Sequence, residues 1–493
     1  MNLVGIESLA KAPVAEGDLL IGGQWRPAAD GRVYPVQDPA TGELIREVSA
    51  GGPDDARAAV DAATSAAAGW RATPPRRRSE ILHRAFALMR EHDDTLARLI
   101  VRENGKAYRD ALAEVGYAAE FFRWFAEEAV RIGSSFGDAP AGGFRHVVRK
   151  HPVGVTAFVT PWNFPAAMAT RKIAPALAAG CPVLLKPAPE TPLTALAVAA
   201  LLTEAGLPDG LLNVLPTDRA PEVVSGWLGD ERVRKFSFTG STATGRLLLA
   251  QAAERVVNVT MELGGNAPFV VCADADVDAA VRGAMDAKMR GGGEVCIAAN
   301  RFYLHTDVAA EFTWKFGAAM TAVRAGHGLG DGVTLGPMIN RAAVDKIRAL
   351  VDDAVARGAR IAARGFVPDG PGHFHPATVL SDVPDDARIL HEEVFGPVAP
   401  LTVFTDEDAM IARANATVHG LAAYVYSRDL GRALRIAERL EAGMVGVNRG
   451  LLSDPAAPFG GVKQSGLGRE GGREGIEAFL ETQYLALDWP TSD

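Results

Sequence analysis

Two stretches of this chain hold groups able to work on a carbonyl. Met261-Glu262-Leu263-Gly264-Gly265-Asn266 offers one carboxylate, and Gly292-Gly293-Glu294-Val295-Cys296-Ile297 offers one thiol. A thiolate attacks electrophilic carbon, and a carboxylate can take the proton that attack requires. A free thiol with a pKa of about 8.5 is only slightly ionised at neutral pH, so a base or a positive dipole must help it. Flanking glycines let a substrate approach the backbone and expose N–H donors to a developing oxyanion. Taken alone, Glu262 also reads as a surface carboxylate and a single cysteine as packing. Packing is the reading for Cys181 and Cys272, which sit in apolar strand contexts.

An alternating α/β pattern must position these groups. Residues 1–50 read as short strands with Gly, Pro and Asp turns, and from Pro53 to Arg131 the apolar spacing is helical. The aromatics of Tyr117–Val130 read as core. From 144 to 262 strands such as Cys181–Lys186 and Val233–Thr239 take turns with helices such as Thr242–Glu254, the mark of an open parallel sheet. A second alternating block spans about 267–450, and the tail ends in an alternating strand suited to pairing across an interface. Phe236–Gly245 reads as strand, Gly-rich turn and helix start, where backbone N–H groups and the helix dipole suit a pyrophosphate, although such a turn is often plain connection. The literal G-x-G-x-x-G at Gly466–Gly471 follows loop rather than strand and is rejected as a dinucleotide site.

At 493 residues the chain exceeds one core, so two or three structural units are expected. A net charge of −9 without a long basic run argues against nucleic acid or an anionic membrane as the main partner. Three cysteines are too few for a disulfide framework and suit a reducing compartment. Met1–Leu20 lacks the layout of a signal peptide and no apolar run is long enough to span a bilayer, so a cytoplasmic protein is expected. His373 and His375 have metal-like spacing but lack further ligands; they read as surface strand residues, and no metal site is assigned. Arg76-Arg77-Arg78 reads as a solvated helix start.

The Glu262 and Cys296 segments resemble the general-base and nucleophile motifs of the aldehyde dehydrogenase superfamily, and the likeness runs from about Leu19 to Trp489. It implies a Rossmann-like cofactor domain at 1–132 and 152–262, a second α/β catalytic domain at 263–465, and a small β oligomerisation arm at 133–151 and 466–493. It further implies a homodimer or homotetramer. Thr160-Pro161-Trp162-Asn163-Phe164-Pro165 resembles the family's oxyanion motif, which gives Asn163 the side-chain donor role beside the Cys296 amide. Lys172 matches a lysine that steers proton movement. On the cofactor side the resemblance implies Thr160, Pro161, Trp162, Lys186, Gly240, Ser241, Gly245 and Leu263, with Glu393 on the nicotinamide ribose and Phe395 beside the ring. Pro189 stands where many NAD-using members carry a ribose-binding glutamate. Without that carboxylate, Lys186 is free to attract a 2′-phosphate, so NADP is expected to be tolerated alongside NAD.

The mechanism so implied is oxidation of an aldehyde to an acid through a Cys296 thioester, which Glu262 resolves with water. Within the superfamily the chain looks most like succinate-semialdehyde dehydrogenases, and in that group two arginines and a serine bind the distal carboxylate. The matching positions are taken as Arg131, Arg290 and Ser453; forked guanidinium donors suit a carboxylate taken from water. Read structurally instead, Arg131 caps a helix and Arg290 makes a surface pair. The family's Asn-Thr-Gly-Gln before the thiol is here Gly291-Gly292-Gly293-Glu294, and Glu294 would oppose an anionic substrate if it faced the pocket. Ala298 stands where some members place a second cysteine, so no disulfide switch is expected. Rival readings are a dehydrogenase for another ω-semialdehyde or for an aromatic or aliphatic aldehyde, a cofactor-free thiol hydrolase, and a scaffold that has lost chemistry.

Overall fold

The computed structural model describes residues 17–488, so most of the N-terminal segment read for a targeting signal lies outside the described residues. The strands fall into sheets of eight, seven, three and two. In the eight-stranded sheet the spatial order is Gly466–Leu467, Asn258–Glu262, Val233–Thr239, Val155–Val159, Val183–Lys186, Leu212–Val214, Leu19–Ile21 and Gln24–Arg26. The five central strands are parallel, and antiparallel pairs close both edges. Val155–Val159 and Val183–Lys186 are buried along their whole lengths, as strands covered on both faces must be. The crossover helix Pro165–Ala179 is likewise buried at every residue, which its Ala-rich sequence allows.

Chain order places the site. After Val155–Val159 the sheet grows in one direction through Val183–Lys186 and Leu212–Val214, then restarts on the other side with Val233–Thr239. The strands diverge at that switch point, and ligands of open α/β sheets bind beyond the carboxyl ends there. Those ends lead into Thr160–Asn163, Gly240–Ser241 and Glu262–Leu263.

The seven-stranded sheet runs Arg360–Arg364, Thr378–Ser381, Val398–Phe404, Ala299–His305, Ala267–Val271, Ala422–Tyr426 and Met444–Val447, parallel except at its first strand. It meets the site through the loops that precede its strands: Gly264–Asn266 before Ala267–Val271, and Arg290–Ala298 before Ala299–His305. Ser135–Asp138, Arg145–Pro152 and Leu480–Leu487 form a separate three-stranded antiparallel sheet, the small β arm of the expected α/β architecture.

The helical stretch from Pro53 is four helices, Pro53–Ala72, Pro75–Glu91, Asp93–Asn104 and Tyr108–Ala129. Phe121, Phe122 and Phe125 are core, as expected. Two sequence readings are corrected. Arg78 is buried rather than solvated, and its guanidinium donates to the Thr73 carbonyl at 3.0 Å, closing the turn before its helix. His373 and His375 lie in loop rather than strand, and His375 is buried against the Pro376 carbonyl. Among the described residues no helix is long and apolar enough to cross a membrane.

Candidate active site

A cavity of about 290 Å³ lies between the two large sheets. Its wall includes Pro161, Trp162, Asn163, Gly240, Ser241, Glu262, Leu263, Cys296, Glu393 and Phe395, and also Met168, Thr239 and Lys346, which sequence reasoning passed over. Thr160, Lys172, Lys186, Pro189, Gly245, Arg131, Arg290 and Ser453 lie off this wall. A larger open hollow of about 640 Å³ beside Trp314 is lined by no Cys, His or Lys, and its Arg360 and Asp382 pair with each other.

Cys296 is a half-buried free thiol at the cavity wall. The loop before it turns through three left-handed glycines, Gly291 at φ +54°, Gly292 at +68° and Gly293 at +81°. A Cβ on Gly293 would fall 2.4 Å from the Gly396 carbonyl oxygen, so this turn requires glycine. Behind the thiol, a Cβ on Gly265 would stand 2.3 Å from the Cys296 carbonyl oxygen; the glycines after Glu262 let the two catalytic segments touch. Glu262 is 2 % exposed, and neither carboxyl oxygen has a hydrogen-bond partner among the described residues. Burial raises its pKa well above 4.5, helped by the nearby Glu470 and opposed by Arg171 and Lys172. Burial also pushes the Cys296 thiol up to about 12, against the pull of Arg171. Burial thus holds the thiol above its ordinary range and makes the Glu262 carboxylate, when ionised, a stronger base than a solvated one.

The Asn163 amide donates to the Glu294 carbonyl oxygen at 2.8 Å, which leaves its second N–H free. Glu294 itself turns away from the cavity. Its carboxyl accepts the Ile339 N–H at 3.2 Å, and burial lifts its pKa to about 8, so it places no full negative charge in a substrate's path. Lys172 lies behind Glu262, donating to Ser237 Oγ at 2.8 Å and pairing with Glu470. Glu470 belongs to the G-x-G-x-x-G stretch rejected as a dinucleotide site. Gly466–Leu467 is instead an edge strand paired with Met261 and Glu262, and the following turn delivers a buried carboxylate to Lys172 and Arg171.

On the cofactor side, Ser241 caps the helix Thr242–Ala253, accepting the Thr244 N–H at 3.3 Å. Gly245 packs away from the cavity, where a Cβ would meet Leu263 Cδ2 at 2.4 Å. The Thr160 N–H donates to the Lys186 carbonyl at 3.1 Å, joining two neighbouring strand ends. The Lys186 side chain is 4 % exposed and makes no side-chain hydrogen bond or ion pair among the described residues; burial lowers its pKa to about 8, with Glu190 acting the other way. A lone buried amine at the carboxyl end of one strand, with the Gly-Ser turn and a helix N-terminus at the carboxyl end of the next strand but one, fits a dinucleotide phosphate. Glu393 accepts the Gly265 N–H at 3.2 Å, and Phe395, held at φ +53°, meets Trp162 edge-to-face at 5.5 Å. Carboxylate, aromatic rings and small residues on one wall suit a nicotinamide riboside.

Arg290 and Ser453 meet: the guanidinium donates to Ser453 Oγ at 2.8 Å and lies 5.7 Å from the Tyr117 ring. It also borders a hollow of about 510 Å³ at the far end of the nucleophile loop. Arg131 does not join them. It sits past the end of helix Tyr108–Ala129 with a side chain 58 % exposed, paired with Glu128 at 2.6 Å, so the carboxylate role expected of it is withdrawn. The helix runs out before it can turn that side chain inward. A different arginine lies buried near the thiol. Arg171 is 1 % exposed, paired with Glu470 at 2.7 Å, and close enough to Cys296, Glu262 and Tyr117 to feel their charge. The Tyr117 hydroxyl is buried without a hydrogen-bond partner among the described residues, beside Arg171 and Arg290. The sequence signal for Arg171 was adjacency to Lys172; for Tyr117 there was only a core-like helix pattern.

The sequence profile of the aldehyde dehydrogenase family matches residues 25–485. A succinate-semialdehyde dehydrogenase from Paenarthrobacter nicotinovorans is 53 % identical over 437 residues, 89 % of this chain and 97 % of that protein. A glutarate-semialdehyde dehydrogenase from Pseudomonas putida is 48 % identical over 95 % of this chain and 97 % of that one. Among solved structures, an NADP-dependent enzyme from Escherichia coli superimposes with a TM-score of 0.94 at 47 % identity, covering 96 % of this chain and 98 % of that chain. Matched almost end to end in sequence and in backbone, with a thiol and a carboxyl brought to one cleft, the chain belongs to the aldehyde dehydrogenase family.

Proposed function

We propose that this protein oxidises a semialdehyde with a distal carboxylate, succinate semialdehyde first among them, to the dicarboxylate. The observation that carries this reading is the single wall shared by Cys296, Glu262, Asn163 and Glu393, with Arg290 at the other end of the nucleophile loop. Glu262 takes the thiol proton and Cys296 Sγ adds to the aldehyde carbon. The free N–H of the Asn163 amide and the Cys296 backbone N–H stabilise the oxyanion, at about 3–4 kcal/mol per donor. A nicotinamide held beside Glu393 and Phe395 would supply the hydride acceptor whose action turns the Cys296 adduct into a thioester. Once Glu262 has passed the thiol proton on to solvent, it takes a proton from water, whose oxygen attacks the thioester carbon and expels the Cys296 thiolate, releasing the acid. Lys172, held by Glu470 and Ser237, is the residue assigned to steering the proton behind Glu262. Arg171, Arg290, Ser453 and the Tyr117 hydroxyl bind the distal carboxylate.

NADP is the proposed cofactor, with NAD accepted. Lys186 attracts the 2′-phosphate, Pro189 leaves out a repelling carboxylate, and the similar E. coli structure is that of an NADP-dependent enzyme. The division into cofactor domain (1–132, 152–262), catalytic domain (263–465) and arm (133–151, 466–493) goes with this reading. The arm strand Leu480–Leu487, whose residues are exposed or half-buried, is assigned to pairing subunits as a homodimer or homotetramer. A cytoplasmic setting suits three free cysteines, one of them catalytic. Glutarate semialdehyde is the second substrate reading, favoured by the Pseudomonas putida relative.

Reduced-nicotinamide absorbance is the test, with succinate semialdehyde, glutarate semialdehyde and butanal each run with NADP and with NAD. The semialdehydes are expected to exceed butanal in kcat/KM, with NADP the better cofactor. Equal rates on butanal would refute the carboxylate subsite. Ester turnover without any absorbance change would favour the hydrolase.

A further inference from the structure

The turn that carries Asn163 is held from behind by a segment that takes no part in the chemistry, Asn104-Gly105-Lys106, where helix Asp93–Asn104 ends. Asn104 Nδ2 donates to the Trp162 carbonyl at 3.1 Å. Lys106 Nζ donates to the next carbonyl, that of Asn163, at 2.6 Å, and to Glu114 Oε2 at 2.5 Å. The same nitrogen stands 4.0 Å from the centre of the Phe164 ring. Two of the ammonium's three donors are thus hydrogen-bonded, and the face of an aromatic ring lies beside it. Glu114 completes the frame: its Oε1 accepts the N–H groups of Ala166 at 2.9 Å and Ala167 at 3.3 Å, in the first turn of helix Pro165–Ala179.

Stability alone is a poor reason for this arrangement. The Lys106 and Glu114 side chains are 3 % and 0 % exposed, and burying an ion pair costs desolvation that a neutral cap would avoid. What the pair does that a Ser or Asn cap could not is hold the carbonyl of the Asn163–Phe164 peptide and the amides of the next helical turn from one joined ion pair. The Asn163 carbonyl is pinned by Lys106 and the amides just beyond it by Glu114, while the Asn163 side chain faces the Glu294 carbonyl and the cavity.

We propose that Lys106 and Glu114 are positioning residues for the oxyanion donor, a clamp that holds the Asn163 amide where the developing charge appears. This rests on the reading of Asn163 as that donor. Phe164, whose ring also lies 5.0 Å from the Arg290 guanidinium, ties the clamp to the substrate side.

The test uses the full-length protein and four variants: Lys106→Met, Glu114→Gln, Asn163→Ala and the double Lys106→Met/Asn163→Ala. The readouts are kcat and KM for succinate semialdehyde and the NADP dissociation constant by fluorescence quenching. A displaced donor lowers kcat by about 10–100-fold in Lys106→Met, with the dissociation constant unchanged within about threefold. Glu114→Gln, which keeps an acceptor for Ala166, falls less. In the Asn163→Ala background, Lys106→Met adds no further loss beyond about twofold, because the group it positions is already gone. Wild-type kcat in Lys106→Met, or losses that multiply in the double variant, would overturn the clamp. Should Lys106→Met fail to bind NADP at all, the neutral pair Lys106→Gln/Glu114→Gln takes its place and is held to the same non-additivity. Wild-type turnover in Asn163→Ala would show instead that the oxyanion reading is wrong, and the clamp falls with it.

Discussion

Replacing Arg290 by Ala tests substrate choice most directly, because this arginine has little else to do. It is half-buried, donates to Ser453 Oγ at 2.8 Å, and lies on the Tyr117 and Phe164 rings at 5.7 and 5.0 Å. Arg171, by contrast, is buried against Glu470, and its removal would leave that carboxylate to Lys172 and Ser237 alone. Hydrogen bonds to a charged group are each worth about 1.5–3 kcal/mol. A half-buried guanidinium facing a carboxylate, with Ser453 and Arg171 remaining, supports a loss of about 2–3 kcal/mol. At about 1.4 kcal/mol per decade this is roughly 30–150-fold in kcat/KM for succinate semialdehyde. Butanal has no carboxylate to lose, so its kcat/KM stays within about threefold. The assay is the ratio of the two specificity constants in wild type and Arg290→Ala, with saturating NADP. A ratio that stays within about threefold would refute the placement of the carboxylate at Arg290.

Three more outcomes are expected. Because burial raises Glu262 well above 4.5, the base form appears only as pH rises, so kcat/KM should fall on the acid side at a pH well above the ordinary carboxylate range. Glu262→Gln should remove that limb and cut turnover by about 10²–10⁴-fold; a wild-type limb near 4.5 would contradict this. Lys186 in the free protein loses its charge as pH rises through about 8, so NADP affinity should weaken across that range, while Lys186→Met binds weakly and without that dependence by titration. Glu294, raised to about 8 by burial, holds a proton in the folded state that an unfolded glutamate of pKa about 4.3 has lost, so its stabilising contribution is full below about 4.3 and disappears as pH rises through about 8. The thermal midpoint of Glu294→Gln should therefore decline less than wild type between about pH 5 and 8, and parallel curves would refute it.

Local chemistry was readable from the chain alone wherever it lives in a short segment. Cys296 and Glu262 each sit among glycines that permit close approach, and the strand-turn-helix at Phe236–Gly245 and the aromatic-proline turn at Thr160–Pro165 are contiguous motifs. Alternating strand and helix periods were enough for the α/β class, because burial on both faces of a parallel sheet leaves its mark along each strand. What the sequence could not decide was which distant charges meet. Arg131 and Arg171 are both arginines near aromatic or apolar helical stretches, yet one ends exposed beyond its helix and the other is buried behind the nucleophile. Glu470 belongs to a turn 298 residues from Lys172, and only an edge strand beside Glu262 brings it home. Lys106 reaches Asn163 across 57 residues, because the helix Asp93–Asn104 ends behind that turn. Hydrogen bonds and ion pairs act over about 3 Å, a distance that sequence order does not encode and that only packing of the two sheets can set.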